Sequence, residues 1–295
     1  MNFLNFPSAL HVKTRYTDES VLKWAETWLV TSDGNPDWEI IERCRVQQLN
    51  WFTCYLFPGM ELKKLDRIAK LFFCLFILDD LLDLMEDEEA EGFLQEMAHD
   101  QLIEGKMILT GLGLPIDTCY LDILECFSQE ALKDRFQRAW NLHIAGLEWE
   151  MKNRREKWKL TLEDYQYMRP HSSGVYIAIE LLRGDILSNS DTMELENDIA
   201  RFVYLSNDLV SAPKEKIIRD MHNEVLLLSE EYGEDVAVGM VKGELAYLQM
   251  KISSNSLLVR QVSLETRIWV DGLLLLLGGC LYWSAETERY TVSHD

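Results

Sequence analysis

Positive charge is what this chain has least of. Its 295 residues carry 29 Lys and Arg against 50 Asp and Glu, a formal charge of −21 at pH 7. That balance excludes a nucleic-acid surface, which needs clustered cations against phosphate, and it excludes a polybasic membrane-binding face. A phosphorylated ligand would have to be held with imported cations, metal ions first. Proline is scarce, at six, and alternation of polar and apolar residues is nowhere sustained, which argues against a β architecture. The six cysteines (Cys44, Cys54, Cys74, Cys119, Cys126, Cys280) include no C-x-x-C pair. Neither a zinc site nor a disulfide framework is indicated, and buried thiols in a reducing cytosol are expected. The segment Met1 to Pro7 lacks the positive flank and apolar stretch of a signal peptide. The longest uncharged apolar run, Gly272 to Trp283, is well short of the ~20 residues that span a bilayer. The expectation is a cytoplasmic protein with no stable membrane insertion.

What is present is apolar weight at helical spacing. Apolar residues make up 47 % of the chain, and it holds nine Trp, eleven Tyr and eleven Phe, enough for a core and for lining a cavity. Thr17 or Asp18 could cap a helix carrying Val21, Trp24, Ala25 and Trp28. Ser32 to Pro36 reads as a turn, and a helix runs from Asp37 towards Phe52. After Phe57-Pro58-Gly59, Glu61 starts a helix with Leu65, Ile68, Ala69, Phe72 and Phe76 as its inner stripe. Glu86 to Glu91 reads as a solvated acidic face, and Gly111, Gly113 and Pro115 mark a break. One long helix is expected from Leu121 to about Lys159, and Thr161 with Asp164 has the form of a capping box. Another helix spans roughly Asp191 to Lys216, and two more fill Lys216 to Trp283. With no repeat, linker or second composition regime, the reading is one all-α domain over 1–295, a helical bundle around a central apolar cavity.

Two constellations carry chemistry. The run Leu71 to Leu78 ends in Asp79-Asp80-Leu81-Leu82-Asp83. On a helix Asp79 and Asp83 are i and i+4, and Asp80 and Asp83 are i and i+3, so three carboxylates crowd one end of one face. Their repulsion beside an apolar run makes best sense around a hard divalent ion, Mg²⁺ first, with phosphate oxygens completing its shell. Farther on, Asn207-Asp208-Leu209-Val210-Ser211-Ala212-Pro213-Lys214-Glu215 places Asn207, Ser211 and Glu215 at i, i+4 and i+8. These are three oxygen ligands on one stripe, a second metal half-site. At about one in twenty per specified position, the first pattern should occur by chance in ~4 % of chains this long and the second in ~0.2 %. Taken alone, the first leaves an acidic helix end in solvent open beside metal binding; together the two oxygen-rich edges suit shared metal binding.

On these motifs the chain resembles the class I terpene synthases, the compact single-domain microbial ones in particular. The resemblance runs from about residue 10 to 290. Asp79, Asp80 and Asp83 resemble the family's aspartate-rich motif, and Asn207, Ser211 and Glu215 its Asn-Ser-Glu triad. Arg169 fits the diphosphate-sensing arginine, and Ser173 and Gly174 the linker and effector positions at the helix break after it. Lys214 matches a diphosphate contact, and Arg289-Tyr290 resembles the C-terminal Arg-Tyr pair, with Trp283 six residues earlier. Two departures stand out. Pro213 lies inside the second motif, where a helix kink or end would displace Glu215. Pro170 follows Arg169 directly and is expected to end that helix early.

The resemblance implies an all-helical bundle and an ionisation-initiated cyclase. Three Mg²⁺ ions, with Mn²⁺ a possible substitute, and the side chains of Arg169, Lys214 and Arg289 would grip an isoprenyl diphosphate, with Tyr290 adding a hydrogen bond. Phe72, Phe76 and Trp283 are the candidates for holding the carbocation by cation–π attraction; ordinary core packing is the bland alternative for the two phenylalanines. Farnesyl diphosphate is favoured over geranylgeranyl diphosphate on family base rates, and the protein is expected as monomer or homodimer. A chain-elongating prenyltransferase is the alternative, but it would bring a second Asp-Asp-x-x-Asp and a basic cluster, and the chain has neither. A Ca²⁺ sensor would need the Gly-centred EF-hand loop, which Asp79 to Glu91 lacks. No Asp-x-Asp-Asp supports protonation-initiated cyclisation, and the six histidines form no metal spacing.

Overall fold

The computed structural model describes residues 6–82, 90, 92, 94, 113–156, 158–183 and 190–290. No strand forms among them; an isolated bridge between Val30 and Pro36 closes the turn expected there. The helices are α1 (Thr14–Ala25), α2 (Trp38–Val46), α3 (Leu49–Leu56), α4 (Leu62–Leu82), α5 (Gly113–Leu124), α6 (Glu130–Glu156), α7 (Leu162–Ser172), α8 (Val175–Arg183), α9 (Ser190–Ile218), α10 (Glu224–Tyr232), α11 (Glu234–Val259) and α12 (Leu264–Glu286), followed by a 3₁₀ turn at Glu288–Tyr290. Asp83 and the acidic run Glu86 to Glu89 lie outside the described residues, as do Glu91 and Gly111.

Several boundaries differ from the sequence expectation, each for a local reason. Helix α1 begins at Thr14, so Thr17 is buried inside it, and Asp18 accepts a hydrogen bond from Asn50 at 3.0 Å instead of capping. The expected helix from Asp37 to Phe52 breaks in two at Gln48, which takes a left-handed φ of 54°. The far end of the chain packs onto this break: Trp283 Nε1 donates to the Gln48 carbonyl, which also accepts from the Trp51 N–H, and Thr287 Oγ1 donates to the Gln47 carbonyl. The expected helix from Leu121 to Lys159 is interrupted between Leu124 and Glu130, where Phe127 turns into the core. The stretch after Lys216 holds three helices, because Asn223 caps α10 and Gly233, at φ 83°, separates it from α11. Both prolines lie within continuous helix: α7 passes Pro170 to end at Ser172, and α9 passes Pro213 to end at Ile218.

Thr161 does cap α7, its Oγ1 accepting from the Asp164 N–H at 3.1 Å. Two adjoining cores result. One gathers α1, α3, α4, α5 and α6 around Leu65, Phe73 and Phe136; the other gathers α8 to α12 around Phe202, Leu245 and Leu273. Leu182 and Val203 pack against both. Helix α12 ties the halves together. A Cβ at Gly279 would lie 2.2 Å from the Tyr55 carbonyl, so only glycine lets α12 approach α3 this closely. By length and composition α12 could cross a membrane, but Trp269, Leu273, Leu277 and Trp283 on it are core residues.

Candidate active site

Where the cores meet, a cavity of about 230 Å³ opens between α4, α7, α9 and α12. Its apolar wall includes Phe52, Phe72, Leu75, Phe76, Val203, Leu276 and Trp283. Phe52 stacks edge-on with Phe72, Phe76 and Trp283 at centroid distances of 5.5, 5.3 and 4.8 Å. Phe76 and Trp283 lie 5.5 Å apart. Phe72, Phe76 and Trp283 thus line the cavity, around an organiser, Phe52, that sequence spacing did not single out. It sits beyond the Gln48 break, which re-phases α3.

At one edge of the mouth, α4 presents Asp79 and Asp80. Asp79 lines the cavity with its side chain 62 % exposed, while Asp80 is 18 % exposed and lies beside it, off the cavity wall. Arg289 Nη2 donates to Asp79 at 2.9 Å and to Asp80 at 3.0 Å, and Arg43 reaches Asp80 at 3.3 Å. Arg289 is buried and its guanidinium lies 4.9 Å from the Phe76 ring centroid. Burial opposes its charge, but Asp79 and Asp80 hold it firmly protonated.

At the opposite edge, α9 brings Asn207, Ser211 and Glu215 onto one stripe that lines the same cavity. Tyr290, next to Arg289, accepts a hydrogen bond from Asn207 Nδ2 at 2.8 Å. One dipeptide therefore touches both motifs, which lie more than a hundred residues apart in the chain. Pro213 does not displace Glu215: its Oε2 accepts from Asn223 Nδ2 at 2.6 Å, and the same nitrogen lies 3.3 Å from Ser211 Oγ. Burial pushes the Glu215 carboxyl up to about 8. Lys214 lines the cavity too.

Arg169 hangs from α7 into this edge. Its Nη2 donates to Asn207 Oδ1 at 3.1 Å, and its Nε and Nη2 donate to Asp208 Oδ1 at 3.2 and 3.1 Å. Asp208 is wholly buried, and its other oxygen accepts from Tyr165 at 2.6 Å and from the Glu224 N–H at 3.1 Å. Burial works against the Arg169 charge, but its acidic surroundings keep it protonated. Asp208, Tyr165 and Asn223 are supporting residues that motif spacing missed. Asp208 was in plain view inside the second motif, and Tyr165 stands one turn before Arg169. Nothing in the chain connects Asn223 to the motif until the fold does.

Between α7 and α8 the chain turns at Ser173 and Gly174, both on the cavity wall, with Gly174 at φ 71°. His143 on α6 faces the same turn and donates from Nδ1 to the His171 carbonyl at 3.1 Å. Burial lowers its pKa, so it is a neutral imidazole with Nδ1 protonated.

The donors at the two edges are carboxylate, amide and hydroxyl oxygens, a set for hard divalent cations. Burial holds the Glu215 carboxyl protonated at neutral pH despite Arg169 nearby, and a divalent cation beside it would favour the carboxylate, so the site fits a metal at α9. Among the described residues no three His, Cys, Asp or Glu side chains gather at ligand spacing, so the α9 edge works only if Asn207 and Ser211 contribute.

The fold itself is shared. A cucumene synthase variant superposes with a TM-score of 0.80 at 18 % identity, covering 98 % of this chain and 100 % of that one. In sequence, the (+)-eremophilene synthase of Sorangium cellulosum is 22 % identical, over 97 % of this chain and 91 % of its own length. The 4-epi-cubebol synthase of Streptosporangium roseum, named as cyclising (2E,6E)-farnesyl diphosphate, is 24 % identical over 97 % and 90 %. Residues 70–246 match the family described as terpene synthase family 2, C-terminal metal binding. The chain belongs to that family, and it is a terpene synthase of the class I fold.

Proposed function

We propose that the protein, acting as one domain in the cytosol, ionises farnesyl diphosphate and cyclises the resulting cation to a sesquiterpene hydrocarbon or alcohol. The observation that carries this is the Arg289-Tyr290 bridge, one side chain on Asp79 and the next on Asn207. It joins both oxygen-rich edges at one mouth of an aromatic-walled cavity. The choice of farnesyl over geranylgeranyl diphosphate is supported by the substrate printed in the name of the Streptosporangium relative.

Asp79 at one edge and Asn207, Ser211 and Glu215 at the other would hold Mg²⁺, in a set of three ions, with Asp80 and Asp83 completing the first motif. Bound there, the metal supplies Lewis acidity that stabilises charge growing on the departing diphosphate. Arg169, Lys214 and Arg289 add positive charge at the same mouth, and Tyr290 offers a hydroxyl proton. The allylic carbon–oxygen bond breaks, its electron pair leaves with the diphosphate, and an allyl cation remains. Phe52, Phe72, Phe76 and Trp283 face that cation with π surfaces worth about 2 kcal/mol each when dry, and they exclude the water that would quench it early. Ring closure ends with loss of a proton, giving the hydrocarbon, or capture of water, giving the alcohol. Ser173 and Gly174 line the wall at the helix break, where a bound substrate would touch backbone. The Asn207–Arg169–Asp208–Tyr165 chain fixes Arg169 before substrate arrives, which is the preorganisation that charge stabilisation requires.

The test is incubation of the pure protein with farnesyl or geranylgeranyl diphosphate, Mg²⁺ present or chelated, and analysis of extracted products. Cyclic C15 products that need Mg²⁺ and vanish in Asp79→Ala and Asn207→Ala are expected. Longer diphosphates formed only with added isopentenyl diphosphate would replace this reading with chain elongation.

A further inference from the structure

Among the described residues two histidines line the cavity, His143 and His222. Both nitrogens of His222 are engaged: Nδ1 meets Asp220 Oδ1 at 2.6 Å, and Nε2 lies 3.5 Å from Asn153 Nδ2. His143 is engaged at one nitrogen only. Its Nδ1 donates to the His171 carbonyl at 3.1 Å, while Nε2 has no hydrogen-bond partner among the described residues. Nor is Nε2 one of the buried polar atoms sealed off without a partner. The residue is only 6 % exposed and forms part of the cavity wall, so what is open of this nitrogen opens into the cavity.

A ring kept only for packing needs no such nitrogen, since leucine or phenylalanine fills the same volume without a polar atom left unpaired. The ring is also fixed in place. Gly146, one turn on, lets α6 approach the end of α7, which brings the His171 carbonyl to Nδ1. On the other side the ring edge covers the turn at Gly174, where an added Cβ would stand 3.6 Å from Cε1.

The other titratable groups on the wall are poorly placed to receive a proton. Asp79 is tied to Arg289 at 2.9 Å, and Glu150 lies 3.6 Å from Arg169. Asp220 holds His222, and Glu215 belongs to the oxygen-rich stripe of α9. Burial pushes the Cys280 thiol up to about 12, so it already carries its proton. At His143, burial holds the ring neutral against the pull of the His171 and Ser172 carbonyls and of Asp79, and the His171 ring works with burial. A neutral imidazole protonated at Nδ1 has a lone pair at Nε2 to offer.

We propose that His143 Nε2 is the base that takes the last proton from the cyclised cation, and that the principal product is therefore a hydrocarbon. The inference rests on the cyclase reading above. The C–H bond beside the final cationic carbon breaks, its electron pair closes the double bond of the product, and the proton bonds to Nε2. The imidazolium so formed passes that proton to diphosphate or to water as the products leave, and burial drives the ring back to its neutral form. A base anchored at one point of the wall also selects which carbon loses its proton, and so which olefin forms.

Product partition tests this, with diphosphate release followed in the same reaction on farnesyl diphosphate and Mg²⁺. His143→Asn keeps a donor for the His171 carbonyl but removes the base; His143→Phe keeps an aromatic ring and removes both. In each, the principal hydrocarbon should fall about 10-fold or more as a share of products. Alcohols and other olefins should take its place, and its formation should fall far more than diphosphate release. Nitrogen-15 NMR of the whole wild-type chain should show a neutral His143 ring at pH 7 with its proton on Nδ1. An unchanged product pattern in a folded variant, at whatever rate, overturns the proposal. So does a wild type that makes mainly alcohol, or a neutral ring with its proton on Nε2. A wild type that releases no diphosphate from farnesyl diphosphate overturns the cyclase reading itself, and this inference with it.

Discussion

Asn223 serves Glu215 and the backbone at once. Its Nδ2 donates to Glu215 Oε2 at 2.6 Å, while its Oδ1 accepts from the N–H groups of Val225 and Leu226 at the start of α10. The cap fixes the amide, and the amide fixes the carboxylate. Asn223→Ala should cost about 1 kcal/mol through the lost cap and also raise the Mg²⁺ concentration needed for half-maximal turnover. Asn223→Asp separates the two roles: it still caps, but sets a carboxylate beside Glu215. A lowered melt, since the buried carboxylate would face Glu215 and the Asp208 carbonyl where an amide donated, and an altered Mg²⁺ requirement are expected, and titration of activity with Mg²⁺ in both variants checks it.

Arg289 and Tyr290 should act as a unit. Arg289→Lys keeps the charge but loses the fork that reaches Asp79, Asp80 and Gln47 together. A fall of about 100-fold in kcat is expected, the scale of losing one charge-stabilising donor. Tyr290→Phe should cost less, about 10-fold, by freeing Asn207. Because both changes loosen the same junction, the double variant should lose less than the product of the two, which steady-state kinetics on the three variants will measure.

Asp117 on α5 gives a pH signature independent of catalysis. Burial lifts its carboxyl from an unfolded value of 3.8 to about 6 in the folded chain. The folded state then binds more protons between those values, so stability falls as pH rises from about 4 to 6 and the penalty is complete above that. Asp117→Asn removes it. Its melting midpoint should exceed that of wild type by a few degrees at pH 7.5 and match it at pH 4, with the gain limited because the side chain is only half-buried.

Gly146 sets the spacing of α6 and α7. An added Cβ would lie 2.8 Å from the Ser172 nitrogen and 2.9 Å from its Cα, a clash with backbone that cannot turn aside. Gly146→Ala should destabilise the fold by about 1–3 kcal/mol. It should also lower kcat beyond what the lost stability explains, since α7 carries Arg169 one turn before Ser172. Denaturant melts and kinetics well below the midpoint separate the two effects.

Periodicity revealed the inner stripe of α4 and the capped start of α7, because there local spacing and burial agree. It joined α2 to α3 and α5 to α6, because those breaks are imposed from a distance: Trp283 and Thr287 claim the carbonyls at Gln48 and Gln47, and Phe127 is drawn into the core. Proline misled in the other direction. Pro170 and Pro213 each forfeit one helix bond, yet α7 runs on to Ser172 and α9 to Ile218. At the site, the residues bearing donor oxygens were legible because their chemistry repeats at helical spacing. Their supports, Asn223, Tyr165 and Arg43, were not, since they reach the site only through tertiary contacts.

The most direct measurement is a crystal structure with Mg²⁺ and inorganic diphosphate. Asp79 on one edge, and Asn207 Oδ1, Ser211 Oγ and Glu215 on the other, should lie about 2.0–2.1 Å from bound ions, with Arg169, Lys214 and Arg289 on the diphosphate between them. Diphosphate bound away from this mouth, or metal on the α4 edge with Asn207, Ser211 and Glu215 left without an ion, would contradict a shared metal site.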